Sequence, residues 1–390
     1  DFYYLTGFEE PNAVCLLAPE YEEHKFVLFV QPKDPKAEIW TGRRAGVEGA
    51  KEQFGADEAY PIDKLDEELS KYLDNVSKIY YRMGKDEEFN QKIIDLIKRY
   101  QPRRQSDKGP HTIVDSGEIL HEMRLKKSTE EIELTQKAVD ITVEAQRAAM
   151  KTVKPGMYEY ELEALINYIY LKNGAVGPAY PPIVASGPNA IYLHYDANNR
   201  QIQDGDLVLI DTGAEYGYYD ADVTRTIPAN GKFSGEQKTI YNIVLEAQLQ
   251  LIESIKPGNS YEDYNQTAVR AITEGLVEIG LLSGDVEELI ESKEYMKFYM
   301  HSAGHWLGLD THDVGKYKIR GKSRAFEPGM IITPDTAIYI AGNTEGVDTR
   351  YWNIGIRIED NALVTETGCE ILSSDLPKTV EEIERFMRKR

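Results

Sequence analysis

An α+β fold in two parts, a smaller α/β domain followed by a larger domain with an internal repeat, is predicted by three features of this 390-residue chain. At about 150 residues per domain, the length calls for two or three domains. Long helical patterns are twice followed by strand-like runs, the order of a helix-and-sheet body rather than of a bundle or a sandwich. The tripeptides Lys154-Pro155-Gly156 and Lys256-Pro257-Gly258, 102 residues apart, punctuate the two helix pairs in the same way and point to a duplicated module with pseudo-twofold symmetry.

The opening Asp1-Phe2-Tyr3-Tyr4 reads as the middle of a strand in a domain whose start is missing. Short β-type runs follow at Ala13–Leu17, Lys25–Val30 and Lys78–Tyr81, and then a helical period over Glu87–Tyr100. The polar stretch from Pro102 to Pro110 lacks periodicity and reads as an exposed connector. Ser128-Thr129-Glu130-Glu131 has the form of a capping box ahead of a helix running to about Met150. We therefore assign 1–124 to the N-terminal α/β domain with its connector and 125–390 to the second domain. Within the latter, helices are expected over Glu159–Asn173 and Tyr261–Ile279. Strands are expected at Leu207–Asp211, Val223–Ile227, Met330–Ile340 and Ile354–Val364.

Apolar residues make up 41% and charged residues 28%, proportions that rule out a disordered or collagen-like chain. No apolar run approaches the roughly 18 residues of a membrane span, so no membrane association is expected. Forty-five Lys and Arg against 66 Asp and Glu leave a net charge of −21, a field that repels nucleic acid and attracts cations. Two cysteines, Cys15 and Cys369, provide no disulfide framework, and a cytoplasmic location is expected.

The segment Asp206–Thr226 has an apolar run, a glycine-containing centre and a β-branched run, the pattern of a hairpin. A turn at Tyr216-Gly217 makes Asp211 and Asp222 direct cross-strand partners. Two carboxylates so placed repel one another unless a shared proton, an arginine or a divalent cation lies between them. A longer bulged loop is the alternative, with both side chains in solvent. Four of the seven histidines, His194, His301, His305 and His312, fall within 119 residues, and three of them lie between Met300 and Gly315. Imidazole is both a common metal ligand and the group best suited to proton exchange near neutrality, so the cluster points to a site. Strict alternation over Asn353–Asp360 puts Arg357 and Glu359 on one strand face, where the guanidinium can brace a ligand carboxylate or simply form an exposed ion pair.

Residues 1–8, Trp40-Thr41-Gly42-Arg43-Arg44, Asp211-Thr212-Gly213, Asp222-Val223-Thr224-Arg225-Thr226, Gly304-His305-Trp306-Leu307-Gly308, His312-Asp313-Val314-Gly315 and Gly355-Ile356-Arg357-Ile358-Glu359 together resemble aminopeptidase P, the Xaa-Pro aminopeptidase branch of the pita-bread metallopeptidases. The match runs in order along the whole chain. The resemblance implies a pita-bread catalytic domain behind a creatinase-like N-terminal domain, and two divalent cations, manganese first, with zinc or cobalt as alternatives. It also implies hydrolysis of the bond between an N-terminal residue and a following proline by a hydroxide bridging the ions. Carried over by position, Asp211 and Asp222 are ligands with Asp222 shared by both ions, His305 binds one ion and Glu359 bridges. His194, His301 and His312 match the active-site histidines that contact substrate and stabilise the transition state. Arg357 matches an arginine that braces a ligand, Tyr339 a tyrosine beside the site, and Trp40 a tryptophan that in relatives can close the site of a neighbouring subunit. Peptides with proline in second position and further copies of the chain, in a homodimer or homotetramer, are the implied partners.

One position departs from the family pattern. Asp335 stands where the family has a glutamate that is both a ligand and a proton acceptor, the proline that follows that glutamate in the family is shifted to Pro334, and the glycine is missing. Four carboxylates, Asp211, Asp222, Asp335 and Glu359, still balance two divalent ions, and oxygen-rich ligation with one imidazole suits manganese. Two alternatives follow. A prolidase shares these ligands but cuts only dipeptides, and a pita-bread module with weakened catalysis is motivated by Asp335. A metal-free hydrolase resembling creatinase fits poorly, because such relatives dispense with these ligands.

Overall fold

The computed structural model describes residues 1–100 and 109–388, so most of the expected connector over 102–110 lies outside the described residues. The chain divides into two compact units, Asp1–Leu120 and His121–Arg390.

The first unit is built on a three-stranded sheet. Val14–Leu17 pairs antiparallel with Phe26–Val30, which pairs parallel with Glu58–Pro61. The central run Phe-Val-Leu-Phe-Val is apolar on both faces because both are covered: Leu28 and Val30 pack with Phe8 and Ala50, Val27 and Phe29 with Leu65 and Tyr72. The opening residues, expected in a strand, form a helix instead, Phe2–Thr6, closed by Gly7 at φ 61°. The aromatic run favours a strand by propensity. A left-handed glycine and the Thr6 hydroxyl, which donates to Phe2 O at 2.8 Å, turn it into a capped helical turn. Glu87–Tyr100 is helical over the expected span.

The second unit starts its long helix α1 (Thr129–Thr152) with the full capping box, Glu131 N donating to Ser128 Oγ and Ser128 N to the Glu131 carboxylate. There follow α2 (Glu159–Lys172), β1 (Ile183–Ser186), β2 (Leu207–Thr212) and β3 (Val223–Pro228). The second half repeats the order with α3 (Gly235–Ser254), α4 (Tyr261–Glu278), β4 (Asp335–Ile340) and β5 (Ile354–Glu359). The repeat extends to single bonds. Gly156 and Gly258 take φ of 93° and 92°, their N–H groups donate to Ile202 O and Phe326 O, and Tyr158 and Ser260 form equivalent bridges to Gln201 and Ala325.

β1–β2–β3 is an antiparallel sheet, and β4–β5 is an antiparallel pair. In the β2–β3 ladder Thr224, not Asp222, stands opposite Asp211, because the turn is Gly217-Tyr218 rather than Tyr216-Gly217. Both turn residues have positive φ, 57° and 69°, the primed geometry that matches strand twist. Moving a turn by one residue changes each cross-strand partner by two, so Asp211 and Asp222 keep a common face as diagonal neighbours. Gly213 fills the break beyond β2, where an added Cβ would fall 1.6 Å from Ala221 O. The expected strand Met330–Ile340 is interrupted. Thr333 leaves the ladder to exchange hydrogen bonds with His305, and Pro334 has no N–H to give. The expected run Ile354–Val364 likewise breaks at Asp360-Asn361, after β5.

The two halves meet along β3 and β5, joined by side chains. Thr226 Oγ1 donates to Arg357 O and accepts from Arg357 N, at 3.0 and 3.1 Å, and Thr224 Oγ1 donates to Glu359 Oε2 at 3.0 Å. On the other side of β3, Arg225 is 1% exposed, donates to Asp360 Oδ1 at 2.6 Å and reaches Glu359 O at 2.8 Å. Burial alone would raise the Asp360 carboxyl, but Arg225 and Lys378 outweigh it and hold the group well below the usual range. Removing one partner of a buried ion pair strands the other charge. Arg225→Met is therefore expected to lower unfolding stability by about 3–5 kcal/mol in urea titrations; a loss below about 1 kcal/mol would contradict a seam held by this pair.

Candidate metal centre

Asp211 and Asp222 leave β2 and the entry to β3 on one face, and β4–β5 delivers Asp335 directly opposite Glu359. Each hairpin thus contributes two carboxylates to the seam between the halves. Asp211, Asp222 and Glu359 are buried, and the Oδ1 atom of Asp335 is buried with no hydrogen-bond partner. Ligand atoms of Asp222, His305 and Glu359 all lie within 4.8 Å of one another. His305 Nε2 stands 3.3 Å from Asp222 Oδ2 and 3.8 Å from Glu359 Oε1. Its Nδ1 is 3.1 Å from Trp306 O, an acceptor only, so Nδ1 carries a proton and Nε2 is the nitrogen turned to the carboxylates.

Like charges brought together out of water need neutralising, and the carboxyls register that need. Burial, and then Asp222, Asp335 and Asp211, push Glu359 well above the carboxylate range. Burial raises Asp211 to about 6, despite Arg357 beside it. Asp222 moves the other way: its burial is outweighed by His305, the Tyr180 hydroxyl and Arg357. Arg357 supplies one fixed positive charge, through an Nη2 contact to Asp211 Oδ2, while its Nη1 donates to Tyr339 Oη at 2.8 Å. One guanidinium cannot balance four carboxylates. The unpartnered Asp335 oxygen, the imidazole nitrogen turned to the acids and the oxygen-rich donor set together fit divalent cations.

Around this cluster stand His301, Tyr339, His312 and the loop that carries His194. His301 Nδ1 lies 3.4 Å from Asp335 Oδ2, and its Nε2 lies 3.3 Å from Tyr339 Oη. The His312 ring is 4.2 Å from that of His305, at 64°. Burial, and then the neighbouring His305, keep His312 below the ordinary imidazole value. Its loop is pinned by Asp313, which accepts from Lys127 Nζ at 3.0 Å and Arg124 Nη2 at 2.5 Å. His194 is exposed on a loop whose neighbouring Leu193 O accepts from Arg357. Buried Glu159 fixes that loop: its carboxylate accepts from Ser186, Asn189, Tyr195 and Arg200. Trp40 belongs to the other unit, on the helix Pro35–Thr41, where it is 88% exposed.

Sequence reasoning missed Tyr180. Its hydroxyl bonds both Asp211 Oδ1, at 2.6 Å, and Asp222 Oδ1, at 2.5 Å, holding the pair that the hairpin register alone leaves diagonal. The flanking Gly177-Pro178 and Pro181-Pro182 signal only an irregular segment, and a lone tyrosine in such a segment has no periodicity to betray it. Asn361 was missed too. It clasps the backbone of Asp222, accepting from its N–H and donating to its carbonyl.

The model of metallopeptidase family M24 matches residues 133–366, and that of the aminopeptidase P N-terminal domain matches residues 1–80. The chain is 44% identical over 388 residues to the Xaa-Pro aminopeptidase of Haemophilus influenzae, covering 99% of this chain and 87% of the relative. It is 43% identical over 390 residues to that of Escherichia coli, covering 99% and 88%. Among solved structures it superposes on the Pseudomonas aeruginosa aminopeptidase PepP with a TM-score of 0.97 at 45% identity, over 100% of this chain and 88% of the other. Zinc-substituted aminopeptidase P of E. coli in complex with product gives 0.95 at 42%, over 100% and 88%.

Because the Tyr180 hydroxyl fixes two carboxylates in place, Tyr180→Phe is expected to weaken Mn²⁺ binding about 10–100-fold in calorimetric titration while leaving the far-ultraviolet dichroism unchanged. Unaltered affinity would show that the carboxylates are set without it.

Proposed function

The chain belongs to metallopeptidase family M24, with the N-terminal domain of aminopeptidase P, and from that premise we propose that it is a metal-dependent aminopeptidase releasing the first residue of peptides that carry proline second. The observation that carries this reading is the convergence of Asp222, His305 and Glu359, drawn from three separate segments, within 4.8 Å. Asp211, Asp222, His305, Asp335 and Glu359 would hold two divalent cations, and manganese is favoured by four carboxylates against one imidazole. Such ions supply Lewis-acid polarisation of the scissile carbonyl and a nucleophile from water at neutral pH.

The chain's own residues do the rest. His194 or His312 donates a hydrogen bond to the oxygen that gains charge as the carbonyl becomes tetrahedral; the depressed basicity of His312 suits a neutral donor. Asp335, with His301 at its second oxygen, carries a proton toward the departing proline nitrogen. Arg357 holds Asp211 and Tyr339 in register and is too basic to exchange a proton itself. The net charge of −21 over the whole chain attracts the substrate's free ammonium, and an acidic side chain of the site holding that ammonium would restrict cleavage to the N-terminus. Trp40 on its exposed helix is suited to contact a second copy of the chain, consistent with a homodimer or homotetramer. Among the described residues no helix is long and apolar enough to cross a membrane; the free Cys15 and Cys369 favour a reducing compartment, the cytoplasm.

Protein stripped of metal and resupplied with Mn²⁺ is expected to cleave Xaa-Pro-Yaa tripeptides and to leave Xaa-Ala-Yaa intact, read by chromatography of the released amino acid. Turnover of Xaa-Pro dipeptides alone would make it a prolidase, and no turnover with Mn²⁺, Zn²⁺ or Co²⁺ would overturn the assignment. His194→Ala and His312→Ala are each expected to lower kcat about 10²-fold; wild-type rates in both would remove the histidines from the chemistry.

A further inference from the structure

The 102-residue repeat pairs Gln146 on α1 with Gln248 on α3. Both are fully buried, and both send their amide nitrogen into the seam. Gln146 Nε2 donates to Ile210 O at 3.0 Å and to Val223 O at 2.9 Å. Gln248 Nε2 donates to Pro334 O at 3.2 Å and to Asp360 Oδ2 at 3.0 Å. The four acceptors share one relation to the carboxylate cluster. Ile210 and Pro334 immediately precede Asp211 and Asp335, while Val223 and Asp360 immediately follow Asp222 and Glu359.

We infer that Gln146 and Gln248 are positioning residues, one per half, each setting the distance between the two carboxylates that its hairpin contributes. The inference rests on reading those four carboxylates as ligands. A single amide donating on both sides of a hairpin fixes the two ligand-bearing segments against each other and against a rigid helix, and outer contacts of this kind hold ligands in place. The amide orientation is determined by chemistry: reversed, each Oε1 would face two oxygens with no proton between them. As it stands, both Oε1 atoms are buried and unpartnered, so neither glutamine is retained for hydrogen bonds elsewhere. A hydrophobic residue would fill either place without leaving that oxygen unsatisfied. The second half differs in one respect, since Gln248 reaches a side chain, and Asp360 is itself held by Arg225 and Lys378.

The test compares Gln146→Met and Gln248→Met, which keep volume and remove the donor, with Thr273→Val, which deletes an equally buried hydroxyl on α4 away from the cluster. Calorimetric titration with Mn²⁺ is expected to show about tenfold weaker binding in each glutamine variant and wild-type affinity in Thr273→Val. Native-state hydrogen exchange of the metal-free proteins is expected to quicken at Asp211–Thr212 and Val223–Thr224 in Gln146→Met alone. Equal Mn²⁺ affinity in wild type and both glutamine variants, or the same loss in Thr273→Val, would overturn the inference. If the wild type binds no Mn²⁺, the ligand reading fails. The exchange measurement then decides the positioning claim, unchanged protection at those amides refuting it.

Discussion

Mutual repulsion among four carboxylates, three of them buried and the fourth with one buried oxygen, is the constraint on which the second unit depends. Asp211, Asp222, Asp335 and Glu359 are presented by two hairpins whose cores hold them inward, and one arginine is the fixed counter-charge beside them. A fold without a cation-binding purpose would not retain such an arrangement, because replacing those acids by apolar residues would relieve both repulsion and desolvation. The surrounding bonds make sense as answers to that constraint. The Tyr180 hydroxyl lies between two of the acids, Thr224 supports Glu359, and Trp306 O sets the tautomer of His305.

The duplicated architecture explains how one chain assembles such a centre. Each half supplies a helix pair, a left-handed glycine after a proline and a hairpin bearing two acids, so bringing the halves together along β3 and β5 puts the four acids in one place. Symmetry also exposes what is not repeated. His305 comes from a segment of the second half, and the Arg225–Asp360 pair crosses the seam in one direction only. The acid expected to be a glutamate is Asp335, one methylene shorter than the family pattern. Its Oδ1 finds no hydrogen-bond partner, while His301 Nδ1 stands 3.4 Å from its Oδ2.

Much of this was legible in the sequence, for reasons that can be stated residue by residue. The capping box at Ser128 and the Pro-Gly stops are local signals, written within four residues of where they act, and the helices follow them closely. The acids and histidines could be singled out because charged and ionisable residues in apolar or β-branched runs demand a reason. The hairpin register was misjudged by one residue of turn, but a period of two forgave the error, since Asp211 and Asp222 shared a face either way. Tyr180, Asn361, Gln146 and Gln248 stayed hidden. Each acts across a sequence distance of 31 residues or more, and nothing near it in the chain distinguishes it from an ordinary polar residue. The opening helix failed for a related reason: aromatic propensity was outweighed by a glycine and by packing of Phe2 against Phe8.

Cations occupying the seam are what the arrangement of acids requires. Anomalous diffraction from crystals grown with Mn²⁺ is the most direct measurement. It should show two peaks per chain, one among Asp222, His305 and Glu359 and the other toward Asp211, with Asp335 turned to meet them. Peaks confined to the acidic surface, or a seam closed by direct hydrogen bonds between protonated carboxyls, would contradict it.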